Sequence, residues 1–486
     1  MYEKLHSYVT EFNKNDEEMV VQLIPNDKAE AFLAEQIPLF DCPDKELEEI
    51  YYFRWWTYRK HLKETEKGHI ITEFLPDVCW GGTYNSINCP SGFHIREGRW
   101  LKDPDGYLRE YINFWLDGHG LAYDYSSWYA YAVLEYCTIK NDFDFAISVL
   151  DKLVSYAETR ESLNGRPGNI SWSDDDKDGM EFSISGPGLR PTITAYAYAD
   201  AYAIAKIAEM AGRDDIRERF EKKAADVKAA ADTLLWDKDF YKTIPMSMDE
   251  RVLLEKRPEV HPDHDARELV GFVPWYFNMP DEGKDIAFSH LLTEDGFKAK
   301  YGLSTAERRH PRFMFEHPHE CLWNGPVWPF ATSQVLVAAS NLLRNYNQTT
   351  INKDDYYEML LQYARSHRHT KDDGTVVPWI DENMHPDTGI WLAHDILRKR
   401  GCPYEGGGGF NRGKDYNHSL FCDLVLSGLL GINVENGTFT ASPMIPDSWD
   451  YFKVENLWLD GSRYTIVYDK DGTHYGKGEG LLVLKD

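Results

Sequence analysis

From about residue 105 to 430 the chain alternates apolar and polar positions with the 3.6-residue period of amphipathic helices. In 143–160, Phe145, Val149, Leu153 and Tyr156 share one helical face. The run TITAYAYADAYAIAKIAEMAG stops at Gly212, RDD supplies a turn, and IRERFEKKAADVKAAADTLLW follows with Ile216, Phe220, Ala224 and Val227 in line. A Gly C-cap and an Asp N-cap make this an αα-hairpin. Its first helix is rich in Ala and Tyr and almost uncharged, whereas its second is studded with Lys, Arg, Asp and Glu, so the pattern predicts one inner and one outer helix. Further helices are predicted near 106–117, 126–140, 328–346, 354–367, 388–400 and 418–430, with no alternating apolar run between them to suggest a central sheet.

Helices joined in pairs along most of a chain imply a closed double ring or an open solenoid. The loops at 68–105, 163–192, 301–329 and 401–417 are long and rich in Trp, Gly, Pro and His. Such loops are unusual between solenoid repeats and usual where loops build a site. The fold class expected is all-α, an (α/α)6 toroid over residues 46–431. Beyond residue 432, short alternating stretches separated by DG, GS and GKGEG turns predict a small antiparallel β region, 432–486, packed on the barrel. Residues 1–45 are polar and mixed, and read as an N-terminal extension, strand or helix, lying on the outside.

Composition narrows the function. With 486 residues and 42% hydrophobic content a large core is assured. Aromatic residues reach 14%, more than helix packing requires, and aromatic faces suit sugar rings, whose axial C–H groups pack on a π surface. Eighty acidic against 53 basic residues give a net charge of −27, which repels phosphate backbones and anionic membranes. Neither a nucleic-acid nor a membrane partner is expected. The N-terminus has no basic start followed by an apolar run, and no segment approaches the roughly 18 apolar residues of a membrane span, so a cytoplasmic location is expected. Seven scattered cysteines without a CxxC pair fit neither a disulfide framework nor a zinc site.

Breaking a glycosidic bond without a metal needs one carboxylic acid to protonate the leaving oxygen and one carboxylate to activate water or attack carbon. Two loop segments offer such groups. In DGMEFSISGPG, Glu181 stands between Met180 and Phe182, apolar neighbours of the kind that raise a carboxyl pKa. In GTVVPWIDENMHPDTG, Asp381 and Glu382 follow Trp379 and precede a Pro-Asp-Thr-Gly turn, and one of the two is placed to hold a water. A lone loop acid is more often a helix cap or a surface charge, so local sequence leaves both segments open.

HECLWNGPVWPFATSQVLVAA resembles the Trp-x-Gly-Pro-Val-Trp-Pro segment of six-hairpin glycosidases, in particular the inverting group that includes processing α-glucosidase I, trehalase and mannosylglycerate hydrolase. YGLSTAERRHPRF is similar to the Gly-Leu-Ser turn preceding that segment, and the resemblance runs from about residue 50 to 470. In that group the base lies in a Glu-x-x-x-Pro-x-Thr-Gly stretch, which Glu382, Pro386, Thr388 and Gly389 match. The resemblance therefore implies Glu382 as base. It also implies Glu181 as acid, since Gly179, Glu181 and Ser183 match a Ser-Gly-x-Asp-x-Ser motif, with Glu standing where those relatives have Asp. The segment 51–103 follows its own pattern, similar to that of bacterial mannosylglycerate-hydrolase-like glycosidases.

The resemblance implies a glycoside hydrolase, exo-acting on a short saccharide or glycoside, with inversion and no cofactor. Candidate substrate-binding residues are Arg54, Trp55, Trp56, Arg59, Arg96, Glu97, Arg99, Trp100, Arg190, Trp323, Asn324, Trp328 and Asp381, because Arg and Trp together bond hydroxyls and stack on rings. No metal is expected. Asp174, Asp176, Asp178 and Gly179 copy half an EF-hand loop, but its twelfth position is Ser185. His317 and His319 lack an evident third ligand. The glycine run at 406–409 lacks a phosphate-loop Lys-Ser/Thr and reads as a flexible rim over the pocket. Two alternatives keep the fold: a disaccharide phosphorylase, and a sugar isomerase or epimerase working through His pairs.

Overall fold

The computed structural model describes residues 1–103 and 105–486. It is helical, with small antiparallel sheets. Pro191 opens the helix Pro191–Met210, where its missing N–H would have no partner in any case. This helix is buried over most of its surface, Ala195, Ala199, Ala203 and Ile207 among its hidden positions. The helix Asp214–Leu234 packs on it and hides only Ile216, Phe220, Ala224, Val227, Ala231 and Leu234. Its charged positions form surface pairs such as Arg217 with Glu221. Gly212 is left-handed, as a C-cap glycine should be. The expected Asp N-cap makes no capping bond; Asp214 and Asp215 lie in the first turn, where the helix dipole favours their charge.

The other expected helices form as Tyr107–Leu116, Tyr129–Lys140, Pro329–Asn345, Lys353–Ser366 and Leu392–Arg400. The stretch 143–160 divides into Phe143–Ser148 and Leu150–Asn164. The helix expected over 418–430 is only Phe421–Asp423 followed by a wide i→i+5 turn, Leu424–Leu429. Two helices, Lys45–Lys60 and Ser91–Gly98, occupy segments in which the pattern predicts none. Ser91–Gly98 is buried at every position and Lys45–Lys60 from Leu47 onward at all but Glu49, so no polar face marks their period.

Strands Tyr451–Leu459, Ser462–Asp469 and Gly480–Lys485 form the C-terminal sheet. Asp460 and Gly461, both with positive φ, make the tight turn between the first two. Leu39–Asp41 pairs antiparallel with Tyr451–Leu459, so a strand from the start of the chain completes a sheet built at its end. Ahead of that strand, the helix Tyr2–Lys14 sets Phe12 against Phe53 and Trp56 of the helix Lys45–Lys60. Among the described residues no helix is long and apolar enough to cross a membrane.

Candidate active site

The two acids singled out in the sequence meet in one cavity of ≈ 170 Å³, whose wall includes Glu181, Glu382, Glu73, Trp80, Trp328 and Arg412. Glu181 lies in the loop between the strand Ile170–Ser173 and the helix Pro191–Met210. The short sheet formed by Ile170–Ser173, Gly188–Leu189 and Ile244–Pro245 closes the base of this loop. Gly179 turns the chain with φ +72°, and a Cβ there would stand 2.7 Å from Cys89 Sγ, so only glycine fits. Buried charge holds the rest. Arg190 donates to Asp178 Oδ2 at 2.7 Å and to the Gly186 carbonyl at 2.7 Å. Asp175 Oδ2 accepts from the Ser183 backbone and hydroxyl, and Glu268 Oε1 accepts from Ile184 N–H.

Glu382 is 1% exposed and gripped from two sides. Arg412 Nε donates to its Oε1 at 2.8 Å, and the Cys321 thiol donates to its Oε2 at 2.9 Å. Burial first, and the adjacent Glu382 second, push the Cys321 pKa well above the usual thiol range, so Cys321 keeps its proton and remains a donor. Arg412 also reaches Glu320 Oε1 at 3.0 Å, and Trp80 lies 5.0 Å from its guanidinium.

The Trp-Asn-Gly-Pro-Val-Trp-Pro segment ties the two acids together. Trp323 N–H donates to the Glu181 carbonyl at 3.0 Å, while Val327 and Met384 exchange backbone hydrogen bonds of 2.8 and 2.9 Å. One short stretch thus contacts the Glu181 loop at one end and the Glu382 loop at the other. Gly389, with φ +75° and the Tyr301 ring where a Cβ would fall, makes the turn that follows Glu382.

Burial dominates the electrostatics. It raises Glu181, half-buried on the wall, to a pKa of about 8, with the charges of Asp176, Glu382 and Glu73 adding to the shift. Asp381 is raised to about 7, chiefly by burial and then by Glu382. It lies behind Glu382, accepting that residue's backbone N–H at 2.8 Å and Trp379 Nε1–H at 3.2 Å.

Of the expected substrate-binding residues, Trp328 alone is on this wall. Trp323 stacks beneath it with ring centroids 4.4 Å apart, and Asn324 donates to the Phe315 carbonyl. Arg54, Trp55, Trp56 and Arg59 are on the buried helix Lys45–Lys60, away from the cavity. Arg54 bonds Thr57, Trp56 bonds Asn13, and Arg59 bonds Gln22 and the Ile24 carbonyl. Arg96, Arg99 and Trp100 all donate to Asp423, and Glu97 accepts the Cys422 and Asp423 backbone N–H groups. Arg190 serves the acid loop from behind. Arg96, Glu97, Arg99 and Trp100 come from 68–105, a stretch that read as loop; Arg96 and Glu97 instead lie on the helix Ser91–Gly98, and Asp423 neutralises Arg96 and Arg99 inside the core.

Several wall residues escaped the sequence reading. Glu73, 5% exposed, accepts from Tyr416 Oη at 2.7 Å, and burial raises it to a pKa of about 8. It carries the same signal as Glu181, a lone acid beside an aromatic, Phe74. Arg412 follows the glycine run, which packs against 76–79 rather than hanging as a rim: Cys79 N–H bonds the Gly406 carbonyl, and a Cβ on Gly408 would crowd Pro76 and Val78. Cys321, His319 and Glu320 come from the segment just ahead of the Trp-rich motif. Among the described residues no cluster of three or more His, Cys, Asp or Glu is arranged to hold a metal ion.

Residues 83–419 match the family model of the mannosylglycerate hydrolase MGH1-like glycoside hydrolase domain. The chain belongs to this glycoside hydrolase family. Both Glu181 and Glu382 lie within the matched MGH1-like region. A solved structure named Sialidase aligns over 100% of this chain and 43% of its own, with 36% identity and a TM-score of 0.88. The GH78 rhamnosidase of Bacillus sp. GL1 aligns over 89% of this chain and 40% of its own, with 11% identity and a TM-score of 0.55. The Streptomyces avermitilis α-L-rhamnosidase complexed with L-rhamnose aligns over 89% and 38%, with 11% identity and a TM-score of 0.54. The two rhamnosidases share the fold, and the MGH1-like chain spans less than half the length of each of the three. No curated protein sequence matches it.

Proposed function

We propose that this MGH1-like chain is an exo-acting, inverting glycosidase built on an (α/α)6 toroid over residues 46–431, with 1–45 and 432–486 packed against it. Glu181 is the general acid and Glu382 the general base. The observation that carries the reading is that these two carboxyls, about 200 residues apart in sequence, line one small cavity in contrasting environments. Glu181 keeps its proton to a pH of about 8 and has it to give. Glu382 is held by Arg412 Nε and the Cys321 thiol with its carboxyl on the cavity wall, in position to draw a proton from water. A confined pocket suits removal of a terminal residue, and an inverting reaction needs only space for one water beside the sugar.

A phosphorylase would need a cation cluster for inorganic phosphate, and the wall offers Arg412, already paired with two carboxylates. An epimerase would need two titrating histidines, but burial holds His418 well below its usual range.

Glu382→Ala tests the proposal. Hydrolysis, followed by proton NMR on a panel of aryl glycosides and disaccharides, should be abolished while the fold persists, and azide or formate should restore turnover by filling the vacated space. Near-wild-type hydrolysis by the variant would reject Glu382 as base and turn attention to Asp381.

A further inference from the structure

Glu382 is held by Arg412 and Cys321, but no side chain among the described residues bonds the Glu181 carboxyl. The direction of that carboxyl must therefore come from the backbone beneath it. Ser183 N–H donates to the Met180 carbonyl at 3.3 Å, closing a four-residue turn with Glu181 second and Phe182 third. Phe182 has φ +58° and Glu181 is not left-handed, the combination of a type II turn, whose third position ordinarily goes to Gly or Asn. Elsewhere among the described residues, left-handed positions not held by glycine go to Asn or Asp, with Lys238 and Met314 the exceptions. A bulky side chain in this region strains the backbone, and such strain persists only where the surroundings over-determine it.

Here the surroundings are rings. Phe182 lies against His317 with centroids 3.7 Å apart, and against His319 at 5.2 Å. Both histidines belong to the segment 314–324. Its root is closed by Met314 N–H on the Asn324 carbonyl at 2.9 Å and by Asn324 Nδ2 on the Phe315 carbonyl at 2.8 Å. The same segment carries the Cys321 thiol to Glu382 and the Trp323 N–H to the Glu181 carbonyl. Glycine at 182 would relax the turn and forfeit the stack, whereas phenylalanine keeps the stack and bears the strain. Phe182 is not among the residues of the cavity wall, so its ring acts on the reaction only through its neighbours.

We infer that Phe182 is a positioning residue for the general acid. Its left-handed backbone turns the Glu181 carboxyl into the cavity, and its stack on His317 and His319 registers that carboxyl against the segment that holds Glu382. The inference rests on the reading of Glu181 as the acid and adds to it the device that aims the acid.

Methyl and 2,4-dinitrophenyl glycosides of the sugar that the parent enzyme cleaves separate this role from a structural one, because only the poor leaving group needs the acid's proton. Phe182→Ala should lower kcat on the methyl glycoside about ten- to a hundredfold at nearly constant KM, and change kcat on the dinitrophenyl glycoside little. Phe182→Tyr, which keeps the ring, should stay near the parent on both. In a Glu181→Gln background Phe182→Ala should cost nothing further, since there is no acid left to aim. Should Phe182→Ala fail to fold, His317→Ala removes one stacking partner, leaves the turn intact and should show the same split between leaving groups. Equal loss on both glycosides, or unchanged kinetics in whichever of the two variants folds, would overturn the inference while Glu181→Gln keeps its own split. If Glu181→Gln itself shows no split, the acid assignment fails and the inference falls with it.

Discussion

Glu181 and Glu73 share one cavity, and each is held protonated by burial reinforced by the other acids of the wall. A general acid must carry its proton into the reaction. Its raised pKa therefore extends the active form upward, and kcat/KM should hold through neutral pH and fall as pH rises through about 8. Because the acids interact, the apparent value belongs to the group rather than to one residue. Glu181→Gln should remove most activity on natural substrates and far less on aryl glycosides with good leaving groups, which depart with little protonation. Equal loss on both classes, measured as kcat, would remove Glu181 from the acid role. Legibility at this scale followed chemistry: Glu181 and Glu382 were readable because their neighbours or motif marked them. Glu73 bore a similar mark, yet only the fold could bring it to the same wall.

At the scale of elements, the acid loop is set by a buried ion pair rather than by regular structure. Arg190 and Asp178 are both fully buried and bonded at 2.7 Å. Arg190→Ala would leave Asp178 charged and unpaired, at a cost of about 3–5 kcal/mol, and would release the loop that positions Glu181. The expected outcome is a lower Tm together with a fall in kcat exceeding that in substrate affinity, checked by thermal melts and steady-state kinetics. Unchanged kcat in a folded variant would show that Glu181 is positioned without this pair. Amphipathic helices such as Asp214–Leu234 were legible residue by residue, because a helix with one wet face writes its period into the sequence. Lys45–Lys60 and Ser91–Gly98 were not, since helices covered nearly all round have no wet face to alternate with.

Over the whole molecule, the first segment of the chain is locked to the cavity wall. Asp16 pairs with Lys60 and Lys414, and Lys60 pairs with Asp415, within the turn 412–416 whose Arg412 and Tyr416 line the cavity. Asp16→Ala would strip two buried ammonium groups of a shared partner. It should lower the Tm by several degrees, about as expected for a loss of a few kcal/mol, and weaken activity from a position far away in sequence. A variant matching the parent in melting and kinetics would show that the N-terminal helices merely rest on the core. What the sequence by itself determined was the helical class, the paired inner and outer helices, the C-terminal strands and two marked carboxyls, because periodicity, turn residues and local motifs act over a few residues. Tertiary structure alone decided which charges face one another. It sent Arg96, Arg99 and Arg190 into buried pairs, closed the N-terminal strand onto the C-terminal sheet, and assembled Glu73, Arg412, Cys321 and His418 around Glu181 and Glu382. An arginine's partner is chosen by desolvation and distance in three dimensions, and neither is written in the residues beside it.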